Sequence, residues 1–122
     1  MAQVLLVEDD RDQLEVRKLL LEREGHAVVT AMTTEEALRH AKERQVDLVL
    51  MDLRLPTAED GLRLIRALRE HDAQLRILVM SGWTEDLMKA PEAAMIDKCL
   101  RKPARSAQII GAVRSLSRAS GG

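Results

Sequence analysis

Aromatic residues are almost missing from this chain, which has no Phe, no Tyr and one Trp among 122 residues. Leu, Ile, Val, Met and Ala must therefore fill whatever core it builds. A single Cys excludes an internal disulfide and fits a reducing compartment. No apolar run approaches the ~20 residues that a bilayer-spanning helix needs. The formal net charge is only -1 and no basic stripe is present, which argues against direct nucleic-acid binding. Met1-Ala2-Gln3 runs into an apolar segment without a signal-peptide pattern, so a cytoplasmic location and no membrane partner are expected. What remains is a globular balance, 46% hydrophobic and 32% charged. A chain of this size makes one domain that buries roughly two thirds of its unfolded surface.

The segment from Val46 to Asp52 is an almost unbroken aliphatic run that stops at a carboxylate, with Pro56 soon after to end any pairing. Such a run reads as a strand buried on both faces. Shorter runs at Val4–Val7, Ala27–Thr30, Arg76–Met80 and Cys99–Leu100 predict four more strands. Helical spacing fills the gaps. Arg11–Glu24 carries Leu14, Val16, Leu19, Leu20 and Leu21 on one broad side, with Arg17 snorkelling from that arc and Gly25 as the stop. Thr33 and Glu36 form a capping-box pattern ahead of inward Ala37, Leu38 and Ala41. Gly61–Glu70 places Leu62, Leu64, Ile65 and Leu68 at helical intervals, and Thr84–Ala90 is a helix that Pro91 must break or restart. A last helix holds Ile109, Ile110, Val113 and Leu116 inward.

Strands alternating with helices predict an α/β fold, with a five-stranded parallel sheet, right-handed crossovers and helices on both faces. Pattern alone leaves the strand order open, but a doubly wound sheet this small usually has the order 2-1-3-4-5, with strands one and three adjacent at the switch point. The domain is expected over residues 3–116, with 117–122 as a frayed tail or the start of a linker.

In that order Glu8, Asp9 and Asp52 meet at one rim, joined by Ser81 from strand four and Lys102 from strand five. Carboxylates within ~4–6 Å repel, so a proton or a cation must sit among them. Oxygen ligands without His or Cys select Mg2+ or a similar ion such as Mn2+. His26, His40 and His71 fall on or beside helices away from the rim and read as surface residues. A metal-bearing acid cluster with a free aspartate, a hydroxyl and a lysine is suited to accept a phosphoryl group. An aspartate oxygen attacks phosphorus to give an acyl phosphate, while metal and ammonium neutralise the transferring oxygens. Singly, each residue has a plainer role: Glu8, Asp9 and Asp10 as helix caps, Ser81 in a turn, Lys102 as a solvated charge. Their joint arrival at strand ends favours the site.

From Gln3 to Leu116 the chain resembles a response-regulator receiver domain of two-component signalling, the CheY-like, flavodoxin-like (βα)5 fold. The matching pieces, in order, are Val7-Glu8-Asp9-Asp10, Met51-Asp52-Leu53-Arg54-Leu55-Pro56, Asp60-Gly61, Met80-Ser81-Gly82 and Lys102-Pro103. The resemblance implies that Asp52 accepts phosphate from a histidine kinase or phosphotransfer protein. It implies Glu8, Asp9, Asp52 and the Arg54 backbone carbonyl as Mg2+ ligands, Ser81 as the switch hydroxyl, and Lys102 as the partner of the phosphoryl group. Phosphorylation would then reshape the face made by helix four, strand five and helix five, read by a downstream protein target or output domain. Homodimerisation through that face stays open. Such a domain is no turnover enzyme; it assists only its own phosphorylation and dephosphorylation.

Several positions depart from the family pattern. The Pro56–Gly61 loop is one residue longer than usual, Cys99 stands where a switch aromatic lies, Met95 replaces a glycine, Pro91 interrupts helix four, and Ala104 replaces a bulkier residue. All but the loop border the output face, which predicts an unusual output surface. Cys99 reads as a small buried hydrophobe. The resemblance implies that Arg54 and Trp83 flank the approach of water to a phosphorylated Asp52, so this bulky pair is expected to slow its hydrolysis, although Trp83 also suits a plain loop aromatic. The sequence admits two rival readings. One is a receiver-fold interaction module with vestigial phosphorylation. The other is a flavodoxin-like redox protein, disfavoured because three acids stand where a flavin phosphate needs amides and hydroxyls.

Overall fold

The computed structural model describes residues 2–121, leaving aside the side chains of residues 118–121. Elements alternate as β1 (Gln3–Val7), α1 (Arg11–Arg23), β2 (Ala27–Ala31), α2 (Thr34–Glu43), β3 (Leu48–Asp52), α3 (Ala58–His71), β4 (Arg76–Ser81), α4 (Thr84–Met88), a 3-10 turn at Pro91–Met95, β5 (Lys98–Arg101) and α5 (Ser106–Gly121). The strands form one parallel sheet in the order β2-β1-β3-β4-β5, the expected doubly wound order.

Strand residues alternate between two cores. Leu5, Val7, Val49, Met51, Ile77 and Val79 face α2, α3 and α4, against Ala37, Leu64, Ile65, Leu68 and Leu87. Val4, Leu6, Leu48, Leu50, Leu78 and Met80 face α1 and α5, against Leu14, Leu21, Ile109 and Val113. Every residue of β3 is buried, which is why its sequence shows no polar alternation.

Four helices differ from their sequence patterns. On α1 only Leu14 and Leu21 are buried, while Val16 and Leu19 are each 62% exposed. The inward stripe of α1 is narrower than its apolar arc. Helix α3 begins at Ala58, three residues before Gly61, because Thr57 caps it: its hydroxyl accepts from Asp60 N–H, and the Asp60 carboxylate accepts from Thr57 N–H. Gly61 then packs so closely on the backbone of β3's exit that a Cβ there would lie 1.7 Å from the Leu53 carbonyl oxygen. Helix α4 stops at Met88, and Pro91 restarts the chain as the 3-10 turn, its missing N–H harmless at that first position. The backbone of α5 continues to Gly121, past Leu116 where the apolar pattern ends; Gly122 lies outside the described residues.

Arg69 ties the far end of this layer together. Its guanidinium donates to the carbonyls of Met95, Asp72, Ala73 and Leu75, joining the end of α3, the turn before β5 and the entry to β4. Gly25 closes α1 with φ 91°, a conformation that costs glycine nothing.

Candidate functional site

Register builds the site. Val7 pairs with Met51 across β1 and β3, so the next residues, Glu8 and Asp52, stand opposite each other at the strand ends. The alternation that sends Leu6 and Leu50 toward α1 carries Glu8 and Asp52 to the same side. Asp52 pairs with Met80 on β4, which puts Ser81 one step further out; Ser81 pairs with Arg101, which delivers Lys102. Lys102 N–H donates to the Ser81 carbonyl at 2.9 Å and fixes that last step.

Glu8, Asp52 and Ser81 are all buried. Lys102 Nζ lies 2.5 Å from Asp52 Oδ1. Burial pushes the Asp52 carboxyl above its usual range, and the hydrogen bond and charge of Lys102 pull it partly back. Ser81 Oγ accepts the Trp83 N–H at 3.1 Å, which uses a lone pair and leaves its own O–H to donate elsewhere. Asp9 and Asp10 are exposed. Asp10 is the α1 cap, accepting from Asp12 and Gln13 N–H, so the plainer capping role falls to it and not to Glu8. Asp9 lines the same cleft as Glu8, Asp52 and Lys102 without joining their contacts.

The cation among the acids belongs to the chain itself. Arg17 Nη1 sits 3.4 Å from Glu8 Oε1 and 3.3 Å from Asp52 Oδ2. The helix pattern predicts a snorkelling side chain; instead it turns in to the rim, with 11% of its side chain exposed. The signal was present in the helix phase, since Arg17 lies on one stripe with Leu14 and Leu21, the two buried residues of α1. Burial lowers the Arg17 guanidinium from its ordinary pKa, and the charge of Asp10 partly offsets this.

Arg54 and Trp83 meet at the mouth of the site, the guanidinium 5.9 Å from the ring centre and also 2.9 Å from Asp86. Trp83 is 60% exposed. Cys99 is half-buried against the α3 side of the core, its thiol pushed up by burial. The histidines stay away from the rim, as expected. His71 is exposed, with Nε2 3.2 Å from the Ala41 carbonyl, while His26 and His40 are half-buried and His26 Nδ1 accepts from Ala2 N–H.

Among the described residues, no three of the His, Cys, Asp and Glu side chains are gathered as a ready-made metal cage. The donor set still fits a hard divalent cation, because Mg2+ takes only one or two carboxylates and keeps much of its water. Glu8 and Asp52 are two carboxylates that could serve it, both buried and both already held by a cation.

The profile of the response regulator receiver domain family matches residues 4–114. Transcriptional regulatory protein PrrA of Mycobacterium tuberculosis is 34% identical over 120 residues, covering 97% of this chain and 51% of that protein. The chain spans about half the length of the curated relatives it matches most fully. A response regulator receiver domain (CheY-like) structure from Methylobacillus flagellatus is 32% identical with TM-score 0.82, covering 95% of this chain and 98% of that one. TrrA from Thermotoga maritima, solved in complex with Mg(2+)-BeF, shares the fold at TM-score 0.85 and 24% identity, covering 95% of this chain and 99% of that one. Among the described residues no helix is long and apolar enough to cross a membrane.

Proposed function

The chain belongs to the response regulator receiver domain family, and on that premise we propose that Asp52 is the phosphoacceptor of a two-component relay. The observation that carries this reading is a buried carboxylate at the end of β3 with Lys102 Nζ 2.5 Å away. An Asp52 oxygen attacks phosphorus of a phosphohistidine on a histidine kinase or phosphotransfer protein. The new P–O bond forms as the P–N bond breaks, and the phosphohistidine ring, already protonated on its other nitrogen, leaves as neutral imidazole. Lys102 moves its charge from the carboxylate onto the transferred oxygens, and the Ser81 hydroxyl donates to one of them. Glu8, Asp9, Asp52 and the Arg54 carbonyl would hold Mg2+ or Mn2+. That ion, when bound, supplies charge neutralisation at the phosphoryl oxygens.

The phosphorylated state would act through the α4–β5–α5 face, where Met88 is 71% exposed and the half-buried Cys99 stands in for an aromatic. Relatives that are transcriptional regulators support an output domain or a separate downstream protein as the reader. The chain assists its own phosphorylation and dephosphorylation and turns over no other substrate.

Intact mass after incubation with acetyl phosphate and Mg2+ tests this. One added phosphate that maps to Asp52 and is lost in Asp52→Asn is expected; no addition, or addition elsewhere, defeats the reading. The Arg17 bridge favours one alternative, an interaction module with vestigial phosphorylation, and a null result in this assay would point there.

A further inference from the structure

Two carboxylates side by side at adjacent strand ends need a positive charge between them, and in this chain a side chain supplies it. We propose that Arg17 is a built-in counter-cation: it holds Glu8 and Asp52 together while no divalent metal is bound, and it must leave them for Mg2+ or Mn2+ to bind. The chain then takes metal more weakly than its acids alone would. This deepens the phosphoacceptor reading and rests on it.

The contacts suit a displaceable occupant. At 3.3 and 3.4 Å they touch one oxygen of each acid through a single nitrogen, not through the short two-pronged fork of a tight Arg–carboxylate pair. Arg17 is rooted on the inward stripe of α1, so it cannot drift far from the cleft. Gln13, Asp9 and Asp10 line the same cleft, and Asp10 offers a carboxylate for the guanidinium to face once displaced. Lys102 holds the other Asp52 oxygen, so Asp52 stays partnered throughout. The ledger of charges facing the cleft is Glu8, Asp9, Asp10 and Asp52 against Arg17, Arg54 and Lys102. Adding a divalent ion beside a fixed guanidinium would set like charges a few ångströms apart, whereas swinging Arg17 out removes that repulsion.

The test is calorimetric titration of the wild-type chain, Arg17→Met and Arg17→Lys with Mn2+, with melting curves in chelator and in saturating Mn2+. Arg17→Met is expected to bind Mn2+ at least about tenfold more tightly, since one nearby positive charge is gone. It should melt lower than wild type in chelator, with the gap narrowed by Mn2+. Arg17→Lys, which keeps the charge on a shorter reach, falls between. Should Arg17→Met fail to fold, Arg17→Gln carries the same comparison. An affinity for Mn2+ that stays within about twofold of wild type, or weakens, overturns the proposal. Acetyl phosphate labelling of the wild type runs alongside. Label on Asp52 with unchanged metal affinity defeats the Arg17 role alone. No label and no Mn2+ binding in any of the proteins defeats the functional reading as well.

Discussion

Replacing Gly61 with alanine sets two known effects against each other. The added methyl would lie 1.7 Å from the Leu53 carbonyl oxygen and 2.7 Å from its carbon, whereas real Cβ contacts under 3.0 Å are essentially unknown. The two backbones would have to part by about 1.3 Å, the gap between 1.7 and 3.0 Å. Neither is free to move. Leu53 N–H donates to the Met80 carbonyl at 3.0 Å with its side chain fully buried, and Gly61 N–H donates to the Thr57 carbonyl at 3.2 Å. Absorbing the shift in bond angles costs on the order of 4 kcal/mol for a 15° distortion. Against this, alanine gains about 1 kcal/mol of helix propensity. The clash wins by about 3 kcal/mol, a fall in Tm of roughly 10 °C for a domain of this size. Gly111 is the control. It lies in α5, where an added Cβ meets nothing within 4 Å, so there the same change should stabilise by about 0.5–1 kcal/mol. Urea denaturation followed by far-UV circular dichroism reads both. A Gly61→Ala midpoint at or above wild type would refute the close approach. Because Leu53 sits between Asp52 and Arg54, the same variant should also take up less phosphate from acetyl phosphate.

Thr57→Ala removes the hydroxyl that caps α3 and should cost about 1 kcal/mol in urea at neutral pH. The Thr57 hydroxyl hydrogen bond holds the Asp60 carboxyl below its usual range. Its contribution is therefore present above the unfolded carboxylate value near 4 and lost as pH falls through the lower folded value, so the gap between variant and wild type should shrink in acid. Arg69→Met strips a charged donor from the Met95 and Leu75 carbonyls and should cost about 2–3 kcal/mol by urea denaturation, with Arg69→Lys recovering only part because one ammonium cannot span both. Trp83→Ser removes the ring beneath Arg54; an exposed cation–π contact is worth about 0.5–1 kcal/mol, so loss of phosphate from labelled Asp52 should speed up about two- to fivefold. An unchanged rate would leave Trp83 a plain loop aromatic.

The sheet was legible because its evidence is concentrated. Val49 and Leu50 have no polar neighbour to alternate with, and a strand covered on both faces uses such a run. Helix details were harder because several residues have two chemically sound options. Val16 and Leu19 share an apolar arc with Leu14 and Leu21, and nothing local says that the sheet covers only part of that arc. Thr57 was missed because Asp60 replaces the usual Glu or Gln of the capping box and Pro56 stands directly before it. Arg17 has two options as well: a long cationic side chain on an apolar stripe snorkels when water is the nearest partner and turns inward when buried acids are.

That last choice is decided far from α1 in sequence. Glu8 and Asp52 face the same layer only because β1 and β3 pair with Val7 opposite Met51. A slip of one residue on β3 would reverse its two faces and point Asp52 into the layer of α2 and α3. Glu8 would then lack its neighbour, Arg17 would have one acid instead of two, and Asp52 would enter an apolar core. Leu48 and Leu50 on one side, with Val49 and Met51 on the other, are each buried in their own core cluster, and they resist that slip. The hydrophobic residues of β3 are thus what place the carboxylate, and the chemistry at the rim depends on packing below it that carries no charge.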